Sequence, residues 1–425
     1  MLIYKAKQLL LNQFIRNVGW LGGAELVNRI FRLGTTVTLA RVFSPQDYGL
    51  MAVIYITADF ANTFTLKGGI GAKIVQADKQ DVETICNTSY WLNWILCCLV
   101  FIIQCVAAFP VAQFYGNNQL VLPVCTVALT YLMLPVFMVQ FALIERENRL
   151  KVTAFSRATQ SILSNIITVT LALLGMGMWA IVWAMVLATP VRIVIIWINH
   201  PWRPPKHFQL ERWQEIAGFA KNVLGVELLT KLRLNLDYLL VGAFWGGKEL
   251  GIYYFAFNAG SGITKNIVNM FMLALYPYIC AVRENYQQFK IRYLSSIKIV
   301  ALIIFPIVIL QSSLAPLYVP IIFGEKWTPA IPILIIICLS VIPYSFKWAS
   351  SLPLQATDKT HIMLYLDIAY TIIFGASLLV VVKWGILWVA TTVLVVDSLL
   401  SLMFIFLATK HSFGKNILFA FFKRH

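Results

Sequence analysis

Charge is scarce in this sequence, and acid is scarcer than base. Only 12% of the 425 residues are charged, with 18 Asp and Glu against 34 Lys and Arg, while 60% are hydrophobic. A water-soluble protein of this length needs far more polar surface, which excludes a soluble fold. Long polar segments are missing too: no connection between apolar runs exceeds roughly 20 residues, so there is no room for a soluble catalytic domain. Histidine is rare and peripheral, at His200, His207, His361, His411 and His425. The seven cysteines show no metal-ligand spacing and read as small packing residues. No metal, cofactor or catalytic residue is therefore expected. The opening MLIYKAKQLLLNQFIRN has a short, broken apolar run and no small-residue cleavage site. It reads as an interfacial amphipathic helix over 1–16 rather than a signal peptide.

What is abundant is apolar sequence in span-sized runs. A helix needs about 20 residues to cross the hydrocarbon core. Twelve such runs lie near 17–40, 49–70, 87–110, 120–143, 155–174, 177–199, 217–243, 250–276, 295–319, 329–353, 361–382 and 384–408. Backbone groups in lipid must pair within helices, so the fold class is an all-α polytopic membrane protein. The net charge of +16 does not point to nucleic acid, because its distribution follows topology. With both termini on one side, that side's loops, tails and helix ends hold 23 of the Lys and Arg; the opposite side holds four, Arg41, Lys248, Lys326 and Lys383. This asymmetry places both termini in the cytoplasm. A secondary attraction to anionic membrane lipids follows from the same surplus.

The chain repeats itself. GAELVNRIFRL (23–33) aligns with GVELLTKLRL (225–234) once a gap is allowed opposite Phe31, matching Glu25 with Glu227, Arg29 with Lys231 and Arg32 with Arg233. QFYG (113–116) corresponds to IIFG (321–324), and Gly177 to Gly385, at one shared offset of 208. Each half has six spans, so both enter the membrane in the same orientation, as in transporters built from parallel repeats. The expected organisation is two pseudo-symmetric six-helix bundles, 17–199 and 217–408. A basic cytoplasmic linker joins them over 200–216, and a basic tail follows over 409–425. Pro201, Pro204 and Pro205 prevent a continuous helix in the linker, and FQLERW (208–213) suits the membrane surface.

Seven cations lie well within spans: Arg29, Arg32, Arg192, Lys231, Arg233, Lys265 and Lys347. Each central charge costs about 2.5–3.5 kcal/mol on insertion scales. Glu25, Arg29 and Arg32 share one helical face at i, i+4 and i, i+3 spacing, with Asn28 beside them. Repeated in both halves, that face describes a polar, net-cationic cavity between the bundles, with Lys265 adding to it and Asp237 placed to pair with Arg233. The plainer reading is internal salt bridges that fix helix packing. For Arg192, Lys347 and Lys67, nearer the cytoplasmic ends, snorkelling is the plainer reading. Surplus positive charge in a membrane cavity suits an anionic substrate such as a diphosphate. Asp367 and Asp397 have no cation nearby in sequence. They are candidates for H+ or Na+ coupling, or have partners on other helices. Asp59 has the same two readings.

ARVFSPQDYGLMAV (40–53), GMGMWAIVWAMVL (175–187), FAFNAGSGI (255–263) and FGEKWTPAIPIL (323–334) resemble bacterial polysaccharide flippases. These are the lipopolysaccharide, colanic-acid and teichuronic-acid translocases of the multidrug/oligosaccharidyl-lipid/polysaccharide exporter superfamily. The resemblance covers nearly the whole chain. It implies twelve helices in two bundles, residence in the bacterial cytoplasmic membrane, and movement of an undecaprenyl-diphosphate-linked oligosaccharide to the outer leaflet without bond making. It also implies polysaccharide polymerase and chain-length machinery as partners. Relatives line the cavity with cations from the first, second, seventh and eighth helices, which maps to Arg29, Arg32, Lys231, Arg233 and Lys265. The second span departs from this pattern, since Lys67 lies near its cytoplasmic end. The rival readings are a small-molecule exporter of the same fold and a membrane glycan polymerase or ligase.

Overall fold

The structure is a computed structural model in which residues 28–413 are described, apart from residue 358. The expected interfacial helix, Glu25 and the tail beyond 413 lie outside the described residues. All regular structure among the described residues is helical. The order is α1 (28–42), α2 (Pro45–Phe64), α3 (Lys67–Gln76), α4 (Val82–Phe114), α5 (Val121–Met133), α6 (Pro135–Arg146), α7 (Leu150–Leu173) and α8 (Trp179–Asn199). It continues with α9 (Trp213–Phe257), α10 (Ile263–Cys280), α11 (Tyr286–Tyr318), α12 (Ile331–Ala356), α13 (Thr360–Val381) and α14 (Ile386–Phe413). Among the described residues, seven helical segments are long and apolar enough to cross a membrane, or eight if α5 and α6, bent by 51°, form one span. The other expected spans coincide with α1, α7, α9 and α10. There Arg29, Arg32, Arg157, Glu227, Lys231, Arg233, Asp237 and Lys265 interrupt the apolar sequence.

Turn chemistry sets the helix ends. Ser44 caps α2 in a reciprocal box: its hydroxyl accepts the Asp47 N–H at 3.1 Å, and the Asp47 carboxylate accepts the Ser44 N–H at 3.0 Å. The repeat-related glycines share one backbone role. Gly116 (φ 62°) and Gly324 (φ 108°) follow the helical turns that end α4 and α11, and Gly177 (φ 54°) and Gly385 (φ 121°) stand just before α8 and α14. A side chain is strained at these left-handed angles, which explains why both copies keep glycine.

Contacts group the residues into two compact units, one up to Leu232 and the other from Arg233. The first 20 residues of α9 therefore belong with the first unit. Their anchor is a core of Ile70 and Ile74 on α3, Ile85 on α4, Met138 and Val139 on α6, and Ile216 and Ala220 on α9. Gly69 makes the approach possible, because a Cβ there would lie 2.6 Å from the Ala220 Cα. Gly69→Ala will therefore overpack this contact at a cost of about 1–3 kcal/mol, read as lowered thermal stability of the purified protein. Gly71→Ala, with nothing within 4 Å, will be neutral.

The linker is extended rather than helical, and it is strapped to the first unit. Trp91 Nε1 donates to His207 O at 3.0 Å and Thr88 Oγ1 to Glu211 O at 2.7 Å. Arg203 donates to the carbonyls of Trp197, His200 and Trp202. Arg212 pairs with Asp81 and Glu215, and Glu215 also pairs with Lys73. The Lys73 hydrogen bond, helped by that from Arg212, holds the Glu215 carboxyl below its usual range. A lowered folded-state value stabilises above the ordinary carboxylate pKa, and that contribution is lost as pH falls through the folded value. Amide exchange across residues 203–213 will thus quicken, relative to intrinsic rates, as the pH drops below about 4.

Three helix irregularities are satisfied by side chains from neighbouring helices. Leu66, in left-handed geometry (φ 53°), separates α2 from α3, and Asn93 Nδ2 donates to the freed Thr65 O. Trp197 Nε1 donates to Val136 O at the α5–α6 bend. A π-helical turn at Asn258–Gly262 joins α9 to α10, and Gln311 Nε2 donates to Ala259 O and Gly260 O. Unpaired carbonyls in lipid cost several kcal/mol, so these polar residues inside apolar runs hold the breaks in place. The exposed stripes Ile102, Val106 and Phe109 on α4, and Leu302, Phe305 and Ile309 on α11, are the lipid-facing sides.

Candidate functional site

Both units carry charged side chains within their spans. In the first unit, Asn28 on α1 accepts a hydrogen bond from Ser161 Oγ of α7 at 2.5 Å. Arg29 is half-buried and Arg32 is exposed. No carboxylate among the described residues pairs with Arg32. Lys231 Nζ donates to Asp59 Oδ1 at 2.7 Å. This long-range bond ties the first half of α9 to α2, and it gives Asp59 a structural partner.

Glu227 lies at the first turn of α3. A Cβ on Gly68 would sit 2.6 Å from Glu227 Oε1, so the carboxylate rests against the positive end of that helix. The opposite end is also matched: Arg146 donates to Ile74 O and Val75 O at 3.0 and 2.9 Å. Lys67 opens α3 and donates to Asn62 Oδ1 at 3.2 Å. Arg192 does not snorkel free. Its guanidinium lies 4.8 and 4.7 Å from the ring centroids of Phe137 and Phe141, and its Nε has no hydrogen-bond partner among the described residues.

In the second unit, Arg233 and Lys347 both donate to Asp367 Oδ1, at 2.9 and 3.2 Å. The expected Arg233–Asp237 pair is thereby corrected. Asp237 is buried and accepts instead from Tyr253 OH and from the Tyr238 N–H, each at 2.9 Å. Being i, i+4 on one helix, Arg233 and Asp237 were close enough in sequence, but Asp367 on α13 offers Arg233 a charge without stripping it of all exposure.

Lys347 also does not snorkel free. Its ammonium lies 3.8 Å from the Tyr370 ring centroid and 5.5 Å from that of Phe404. Tyr370 OH donates to Asp397 Oδ1. Lys265 sits over the rings of Phe257 and Tyr344, at 5.1 and 5.2 Å, and Asp397 and Asp237 are the carboxylates whose charge reaches it. The two carboxylates without cations nearby in sequence, Asp367 and Asp397, thus have partners on other helices.

The two units differ in balance. Of the cations well within spans, the first unit holds Arg29, Arg32, Arg192 and Lys231 against Glu25, Asp59 and Glu227, a surplus of one. Those of the second hold Arg233, Lys265 and Lys347 against Asp237, Asp367 and Asp397, which is neutral. Lys347, Tyr370 and Asp59 were not among the expected cavity residues, since their partners lie 20 to 172 residues away.

Comparison with known proteins agrees with a helical membrane fold. The chain is 26% identical over 346 residues to the teichuronic acid biosynthesis protein TuaB of Bacillus subtilis (strain 168), spanning 78% of this chain and 70% of that one. It is 24% identical over 311 residues to the lipopolysaccharide biosynthesis protein WzxC of Escherichia coli (strain K12), spanning 71% and 61%. The fold is that of the lipid II flippase MurJ in an inward closed conformation (TM-score 0.74, 12% identity, 92% of this chain and 87% of that one). It is equally that of an inward-facing multidrug resistance MATE family transporter (TM-score 0.71, 13% identity, 90% and 94%). The family model described as polysaccharide biosynthesis protein matches residues 38–332. A multi-span membrane protein of transporter fold, the chain belongs to the polysaccharide biosynthesis protein family.

Proposed function

We propose that this protein is a lipid-linked oligosaccharide flippase. It moves undecaprenyl-diphosphate-linked glycan units across the bacterial cytoplasmic membrane by alternating access, through twelve spans with both termini in the cytoplasm. The cation surplus within the spans of the first unit carries this reading. Net positive charge in apolar surroundings is costly unless an anion visits it, and a diphosphate is such an anion. Arg29, Arg32 and Lys231 are the headgroup ligands in this scheme, with Asn28 beside them. The guanidinium groups grip phosphate oxygens bidentately. Arg233 and Lys265, already matched by Asp367, Asp237 and Asp397, contribute less. No bond is made or broken. Asp397, held by Tyr370 in the neutral cluster, serves coupling to a cation gradient, and polymerase and chain-length machinery take up the exported unit.

The MATE-like fold is shared with exporters named for multidrug resistance, but a net-cationic site repels organic cations, and the family match favours glycan cargo. Deletion of the gene followed by lipid extraction tests the reading. A lipid-linked glycan will accumulate facing the cytoplasm. Normal surface glycan with no such accumulation overturns the proposal, and raised drug sensitivity in its place supports the exporter.

A further inference from the structure

Asp367 has the surroundings of a cation site, and the cation already in it belongs to the chain. One carboxylate oxygen takes both the Lys347 ammonium at 3.2 Å and the Arg233 guanidinium at 2.9 Å. The Tyr370 ring lies 3.8 Å from the Lys347 nitrogen and the Phe404 ring 5.5 Å away. Tyr370 is itself stacked on Phe374 and fixed at its hydroxyl by Asp397. A carboxylate beside an aromatic face is the arrangement that recognises ammonium ions. Lys347 is only 17% exposed at its side chain, so it does not exchange with solvent as a snorkelling lysine does.

We propose that Lys347 is a tethered occupant of a monovalent-cation site formed by Asp367, Tyr370 and Phe404. The ammonium on its four-carbon stem fills the place a free cation otherwise takes. The second unit therefore needs no alkali-metal ion at Asp367, and Asp397 is the carboxylate left for exchange. The purpose of such a site rests on the transport reading above, but its chemistry does not. Binding is measurable on purified protein without any glycan.

The test compares the parent, Asp367→Asn, Lys347→Ala and Lys347→Ala/Asp367→Asn as full-length proteins in sodium-free detergent, with sodium and methylammonium as probes. The parent is expected to show no binding of either probe, and no thermal shift from them, that Asp367→Asn abolishes. Truncation at Lys347 opens the site, so the single variant gains saturable methylammonium binding. Its affinity exceeds that of the parent by roughly tenfold or more, the size of a desolvated cation–aromatic contact. The double variant loses the gain. Two results overturn the proposal. One is a folded Lys347→Ala protein that binds neither probe. The other is a parent protein that binds sodium saturably and loses that binding on Asp367→Asn. The second arm needs no Lys347 variant to fold. Failure of glycan accumulation in the deletion strain leaves these binding results unchanged, so the two readings fail separately.

Discussion

Arg32→Gln will reach the membrane at the parent level and export glycan at about one tenth to one hundredth of the parent rate. The side chain is exposed and no described carboxylate relies on it, so folding loses little. The transported headgroup loses one charge-assisted contact, worth about 1.5–3 kcal/mol, and each 1.4 kcal/mol is about tenfold. Arg32→Lys will retain part of the activity, since lysine keeps the charge but not the bidentate fork. Surface glycan quantified against protein abundance decides the matter. Full-rate export by the glutamine variant at normal abundance sinks the headgroup assignment.

The second large effect is structural. Asp367→Asn leaves Arg233 and Lys347 facing one another without the carboxylate they share, and Asp397 reaches them only at longer range. Removing one partner of a buried pair costs about 3–5 kcal/mol. The lower end applies here because the Arg233 and Asp367 side chains keep 22% and 36% of their exposure. The variant will melt earlier in detergent and accumulate poorly. Asp367→Asn combined with Lys347→Met will recover most of the loss, because the second change removes the charge that the first stranded. Non-additivity of this kind is the mark of directly interacting groups. Simple addition of the two single effects, measured by thermal unfolding, counts against the shared-carboxylate geometry.

The helices and their ends were largely legible in the sequence. SPQD spells its own cap, with Pro45 at the first helical position and Asp47 at the third. The GMG turn and the matched glycines at 116 and 324 all adopt the positive φ that glycine permits. WGGKE (245–249) lies between two expected spans, and Gly246 there breaks α9 with φ 78°. The π-helical turn at Asn258–Gly262 was not visible in sequence, although Gln311 in an apolar run was a signal that some carbonyl needed a donor.

The charge clusters were legible only in composition. Helical periodicity suggested neighbours such as Arg233 with Asp237 because spacing along one helix is all that sequence offers directly. The pairs actually found join Lys231 to Asp59 across 172 residues and Arg233 to Asp367 across 134. No local rule encodes which of several spans will pack together, so the partner of an intramembrane charge follows from tertiary packing alone.

The Ser44 cap has a consequence for biosynthesis. Residues 28–42 include Arg29 and Arg32, whose burial in lipid costs about 5–7 kcal/mol on insertion scales. Across the expected span 17–40, its nine Leu, Ile, Phe and Val residues return roughly 3–5 kcal/mol on the same scale, and Glu25 adds to the deficit. This segment does not partition from the translocation channel into lipid unaided. Only two residues, Phe43 and Ser44, separate it from the twenty-residue α2. The pair therefore leaves the channel as one hairpin, with the Ser44–Asp47 box closing its tip and the later helix drawing the earlier one in.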